Sequence, residues 1–334
     1  MNSHDQMLGA AAAFGVRSLS LWTGPRLSIL IFHRVLAMPD PLFPDEMDAQ
    51  RFDRLMALVA RSFRVLPLGE AARRLGDGSL PHNALCITFD DGYADNHDIA
   101  LPILRRHQLP ACFFIATGFL NGGRMFNDTV IECVRHCALQ RIDLAEFGLG
   151  VFALGTPELA VQAINKLLPV VKYMGLSQRQ AALQQLTQIC RPRQLPDDLM
   201  MTHAQVRAMH SAGMEIGAHT VQHPILSLID DTAVEVEMVQ SRDTLQSLTG
   251  QPVRLLAYPN GRPDQDYAHR HAVLAKRLGF LAAVTTAPGV AAPGSDLFQL
   301  PRFTPWNPLP RPWVAKLVAS RRGGAFPLAL PSAA

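Results

Sequence analysis

Apolar runs of strand length alternate with amphipathic helical stretches along this chain, and that alternation confines it to an α/β architecture. Residues 27–32, 85–89 and 111–116 are continuously apolar or β-branched apart from single Ser or Thr positions. A strand that is apolar on both faces is one buried on both faces, which is the signature of a parallel sheet covered by helices. Between the first two runs, Phe52, Leu55, Met56, Leu58 and Val59 recur at helical spacing, and 99–107 reads as a second helix. The pattern resumes downstream with a helix over 202–212 closed by Gly213, a strand over 214–218, a helix over 232–249, an extended stretch over 254–257, a helix over 267–278 and an extended stretch over 280–285. Strand and helix in this order predict parallel strands with crossover helices, hence an α/β sheet or barrel.

The alternation breaks between 121 and 200, where helical periodicity over 129–139 and 178–190 flanks one extended stretch near 147–154. This region is expected to be a helical insertion in a barrel spanning 25–315, preceded by a helical segment over 1–24 and followed by a flexible tail over 316–334. From Pro301 onward, Pro305, Pro308, Pro310 and Pro312 suggest a wrapping segment without regular structure.

An apolar fraction of 48% against 18% charged residues allows a large core and excludes a disordered chain. The 31 basic and 28 acidic residues are scattered, with no nucleic-acid-binding signature, so no nucleic-acid partner is expected. Five cysteines, two of them within apolar strands, do not make a disulfide framework. Cys133, His136 and Cys137 read as a helix with half-buried thiols in preference to a metal cluster. Neither a signal peptide nor a membrane span is apparent, which points to the cytoplasm.

Three strand-like runs end in residues that ligate metals or move protons: His33 after the first, Asp90 and Asp91 after the second, and His219 after the strand over 214–218. Carboxyl ends of parallel strands gather at one face, so these groups can converge from distant parts of the chain. His219 and His223 sit on a turn before Pro224, and two neutral imidazoles there suit zinc or another divalent transition metal. In a chain with 12 histidines the spacing alone carries little, and a surface pair would look the same. Adjacent Asp90 and Asp91 are equally what a helix N-cap looks like. The alternative is a division of labour, one carboxylate joining the histidines on a metal and the other accepting a proton from water.

Thr88-Phe-Asp-Asp-Gly92 and His219-Thr-Val-Gln-His223 resemble the first two motifs of the NodB-like polysaccharide deacetylases, and Ala257-Tyr-Pro-Asn-Gly261 is similar to their third. The resemblance runs from about Leu27 to Arg302. It implies a distorted parallel (β/α) barrel of the NodB type with fewer than eight units, and a metal-dependent hydrolase that removes N-acetyl groups from an amino-sugar polysaccharide, oligosaccharide or lipid-linked saccharide. The last of these would bring the protein to a membrane surface. It further implies Asp90 as general base, Asp91, His219 and His223 as ligands of a divalent metal, zinc foremost, and the Tyr258 backbone N–H as an oxyanion donor. The family's motif-three arginine has no match in its usual place, Arg254 being the nearest upstream, and a late leucine-x-histidine acid motif is absent. Phe32-His-Arg-Val35 is instead similar to the first strand of the biofilm-polysaccharide deacetylases, which implies His33 as the general acid. Two other functions stay open at this level: hydrolysis of a small non-sugar amide, and glycan binding without catalysis.

Overall fold

The computed structural model describes residues 24–145, 148–305 and 326–331. The expected helical segment over 1–24 lies outside the described residues, save for Gly24. Eight parallel strands form the main sheet: β1 (Ser28–Phe32), β2 (Arg64–Val65), β3 (Ala84–Phe89), β4 (Cys112–Ile115), β7 (Glu215–Ala218), β8 (Leu255–Ala257), β9 (Ala282–Pro288) and β10 (Leu300–Arg302). The order is β1-β3-β4-β7-β8-β9-β10, with β2 beside β3. Phe303 then bonds back to β1, its N–H to the Ile29 carbonyl at 2.7 Å and its carbonyl from the Ile31 N–H at 3.1 Å. The sheet thereby comes nearly full circle as a (β/α) barrel.

Alternation along each strand divides the apolar residues between two clusters. Ile29, Cys86, Phe114, Ala257 and Val284 fill one, to which helix α2 (Leu68–Asp77) adds Leu68, Ala71 and Leu75. Leu30, Ile87, Phe113, Leu256 and Ala283 belong to the other, under the surrounding helices α1 (Ala49–Ser62), α3 (Leu101–Arg106), α7 (His203–Ser211), α8 (Asp231–Thr249) and α9 (His269–Arg277). Local signals start and stop these helices. Asp48 accepts the Arg51 N–H at the start of α1, and Gly250 ends α8 at φ 69°, a conformation that glycine adopts without a side-chain clash.

Between β4 and β7 lies a separate apolar cluster built by α4 (Phe126–Arg135), the antiparallel pair β5 (Arg141–Leu144) and β6 (Gly150–Ala153), α5 (Pro157–Lys172) and α6 (Leu176–Cys190). The sequence pattern did not disclose α5, which has Pro157 in its first turn and Pro169 inside it, nor did it disclose α2. All five cysteines are free, and Cys133 and Cys190 are buried in this cluster.

Two expectations for the C-terminal region are corrected. Pro301 does not mark the start of irregular chain: Leu300–Arg302 is a strand, and it tolerates the proline because the register with the neighbouring strand shifts between Leu300 and Arg302, so no regular ladder bond needs the missing N–H. Residues 326–331, assigned above to a flexible tail, return to the barrel, where the buried Ala329 N–H donates to Gln299 Oε1 at 2.8 Å. Among the described residues no helix is long and apolar enough to cross a membrane.

Candidate active site

Register brings the predicted residues to one face. Phe32 pairs with Phe89, so His33 and Asp90 leave their strands side by side, and the Asp90 N–H donates to the Phe32 carbonyl at 2.9 Å. Ala218 is in register with both Ile115 and Leu256, which places His219 beside the end of β8. After Asp90 the chain turns sharply, Asp91 at φ 75° and Gly92 at φ 91°, with the Gly92 N–H bonded to the Asp90 carbonyl. A side chain at Gly92 would meet Ile115 Cγ2 at 3.0 Å, so the turn requires glycine for space as well as for φ.

The 219–223 turn is held from several sides. His223 is at φ 51° and Thr220 at φ 64°. Thr220 Oγ1 accepts the His223 N–H at 3.2 Å, and Glu237 accepts the N–H groups of Val221 and Gln222 at 2.7 and 2.9 Å. Helix α6 adds Arg179, whose guanidinium donates to the Gln222 carbonyl at 3.2 Å.

Asp91, His219 and His223 converge, all buried, with one donor atom from each within 4.8 Å of the others. Both Nε2 atoms approach the same carboxylate oxygen, Asp91 Oδ1, at 3.4 Å from His219 and 3.5 Å from His223. That oxygen has no hydrogen-bond partner although it is buried, an arrangement that is costly unless a cation completes it. His219 Nδ1 lies 2.8 Å from the Ala257 carbonyl, which can only accept, so the proton sits on Nδ1 and the Nε2 lone pair points at the cluster. Burial pushes His223 down to about 3, which keeps that imidazole neutral, as a ligand must be. Burial alone would raise Asp91, but the two neighbouring histidines hold it well below the usual carboxylate range. Two imidazoles and a carboxylate with open positions fit a divalent transition metal.

Asp90 is held otherwise. The Arg302 guanidinium grips it with two bonds, Nη1 to Oδ1 at 2.7 Å and Nη2 to Oδ2 at 2.6 Å, while Arg302 Nε donates to the Thr285 carbonyl at 2.7 Å. Against the desolvation of a fully buried carboxyl, this arginine and His219 lower the Asp90 pKa below its ordinary value. Sequence reasoning missed Arg302 and turned to Arg254, which is exposed on the far side of β8 from this cluster's Ala257 end. The one available signal was a lone arginine among prolines at the end of a short apolar run.

Tyr258 requires a correction. Its backbone N–H is already donated to the Val284 carbonyl at 3.2 Å, and a peptide N–H has a single proton to give. Its ring stacks on Tyr267 with centroids 4.2 Å apart, and its hydroxyl donates to the Phe298 carbonyl. On the same turn, Asn260 Nδ2 is buried without a partner. His33 is exposed at the end of β1 and, together with Asp91, lines a cavity of about 260 Å³. Tyr93, Asn127, Asp128, Glu132 and Arg135 also line it.

Residues 77–140 and 162–283, more than half of the chain, match the family model described as polysaccharide deacetylase. YxkH of Bacillus subtilis (strain 168), a protein named as a polysaccharide deacetylase, is 28% identical over 102 residues, which span 30% of this chain and 35% of that relative. Among solved structures, the Streptococcus pyogenes deacetylase PplD in complex with acetate superposes with a TM-score of 0.58 at 21% identity, covering 89% of this chain and 98% of that one. IcaB from Ammonifex degensii gives 0.57 at 18% identity over 90% and 98% of the two chains. The BpsB deacetylase domain from Bordetella bronchiseptica gives 0.52 at 18% identity over 84% and 96%. At these identities the structural likeness establishes a shared fold.

Proposed function

The chain belongs to the polysaccharide deacetylase family, and from that premise we propose that it hydrolyses the N-acetyl group of an amino sugar within a polysaccharide, oligosaccharide or lipid-linked saccharide. The observation that carries this reading is the juxtaposition of a buried Asp91–His219–His223 cluster, with its unpartnered Oδ1, and an arginine-held Asp90 next to it in sequence. Asp91, His219 and His223 would hold a divalent metal, zinc foremost, which would supply Lewis-acid polarisation of the acetamide carbonyl. Asp90, kept ionised by Arg302, receives the proton of the attacking water. His33, at the open end of β1, donates a proton to the sugar nitrogen as the C–N bond breaks, because an amine leaves poorly as an anion. With Tyr258 engaged in the sheet, the oxyanion donor passes to the unspent Asn260 amide on the same turn.

The test is acetate release from a panel of N-acetylated oligosaccharides and lipid-linked saccharides beside simple acetamides, with the metal content of the protein measured in parallel. Release from the saccharides with a stoichiometric transition metal is expected. Release from simple amides alone would make the protein a general amidohydrolase, and saccharide binding without release would make it a glycan-binding relative.

A further inference from the structure

The insertion between β4 and β7 contributes a buried carboxyl to the cavity beside the catalytic cluster. Helix α4 opens with Phe126, Asn127 and Asp128, and the last two face the cavity that also holds His33 and Asp91. Asp128 is only 3% exposed. It is reached through a directed chain of hydrogen bonds: Asn127 Nδ2 donates to the Tyr93 hydroxyl at 3.0 Å, and that hydroxyl donates to Asp128 Oδ2 at 3.0 Å. The Arg34 guanidinium lies over the Tyr93 ring, 4.8 Å from its centroid, and fixes the ring further.

A carboxylate offers about four acceptor positions, and the Tyr93 hydroxyl uses one. The cations nearby are spent elsewhere: Arg34 pairs with Asp95 at 2.8 Å, and Arg135 pairs with Asp40 at 2.6 Å and with Glu132 at 3.2 Å. Asp128 therefore presents unmet acceptor capacity to a cavity that adjoins the proposed reaction centre. The same walls carry Asp45, Glu46 and Glu132, so the cavity favours hydrogen-bond donors and disfavours anions.

We propose that Asp128, oriented by Tyr93, is a specificity-determining residue that binds ring hydroxyl groups of a neutral or amine-bearing hexosamine unit at the reaction centre. This rests on the deacetylase reading and adds to it a substrate class, a hexosamine without phosphate or carboxylate substituents at that position. The insertion thereby becomes part of the saccharide site. A small amide or ester, having no ring hydroxyls, gains nothing from Asp128.

The experiment compares the metal-loaded full chain with its Asp128→Ala and Tyr93→Phe variants on an N-acetylated hexosamine oligosaccharide and on p-nitrophenyl acetate. At about pH 8, where Asp128 is ionised, the kcat/KM for the saccharide relative to that for the ester should fall about tenfold or more in Asp128→Ala, the size expected for losing hydrogen bonds to a charged acceptor. The loss should appear mainly in KM, with zinc content retained. Tyr93→Phe should move the ratio in the same direction by less. A ratio equal to that of the wild type, or a parallel loss on both substrates, would overturn the proposal and leave Asp128 a packing residue of α4. Absence of acetate release by the wild type from every saccharide would instead remove the deacetylase reading itself, and this inference with it.

Discussion

Arg302 closes on Asp90 through two nearly parallel hydrogen bonds of 2.7 and 2.6 Å, joining residues 212 positions apart in the chain. Both are buried, so this is a strong paired geometry in a site where an unpaired charge is heavily penalised. Arg302→Met should retain metal and lose most turnover. It should also destabilise the fold by roughly 3–5 kcal/mol, the usual cost of leaving one member of a buried pair alone. Because Arg302 helps hold Asp90 below its ordinary pKa, Arg302→Lys should move the acidic limb of the pH–rate profile to higher pH. The sign follows from linkage: a depressed carboxylate pKa stabilises the fold above its unfolded value of 3.8, and that stability is lost as pH falls through the folded value. An acidic limb at the wild-type position would show that Asp90 is not the group being titrated.

Metal content should separate the two aspartates. Asp91→Ala, His219→Ala and His223→Ala are expected to lose bound metal on dialysis, whereas Asp90→Asn keeps it and loses about 10²–10⁴-fold in rate. Equal metal loss in all four variants would mean that the roles have been divided wrongly.

His33→Ala should bind metal normally and fail on acetylated amino sugars. On an acetyl ester with a good leaving group it should lose much less, since that group departs without a proton. Wild-type turnover of saccharides by this variant would place the acid elsewhere.

Burial pushes Asp128 from 3.8 up to about 7, so over that window the folded protein holds a proton that the unfolded chain releases. The stability this provides is complete below 3.8 and is lost as pH rises to about 7. The slope is at most about 1.4 kcal/mol per pH unit. Denaturant unfolding of the metal-stripped protein between pH 4 and about 8 should show that decline, and Asp128→Asn should flatten it. Parallel curves for the two proteins would mean that Asp128 titrates as an ordinary exposed carboxyl.

Gly118 lies where a side chain would come within 2.7 Å of the Val221 carbonyl, and its own N–H donates to that carbonyl at 2.9 Å. Gly118→Ala should therefore displace the 219–223 turn and weaken metal binding without touching a ligand. Titration with zinc against a competing chelator would detect this, and an unaltered affinity would show that the turn adapts.

The sequence by itself determined the strands and the groups at their ends. A run such as 85–89 is apolar at every position but Thr88, and a chain segment with that pattern has nowhere to go but between two layers. Once it is buried and parallel, Asp90 and Asp91 must emerge at the same face as His33 and His219. The barrel and the convergence of Asp91, His219 and His223 were legible because each depends on a local pattern repeated along the chain. Tertiary structure alone decided what each polar group is bonded to. Arg302 follows a proline in a three-residue strand, and nothing within that stretch says that its partner is Asp90. Tyr258 carries a family role by its position in a motif, yet ladder pairing with Val284 consumes the N–H that the role would need. Asp128 and Tyr93 meet only because the insertion folds back over the carboxyl end of the barrel. Periodicity records which side of an element is buried. A hydrogen bond depends on the distance and angle between two particular atoms, and these are set only when elements far apart in sequence have packed.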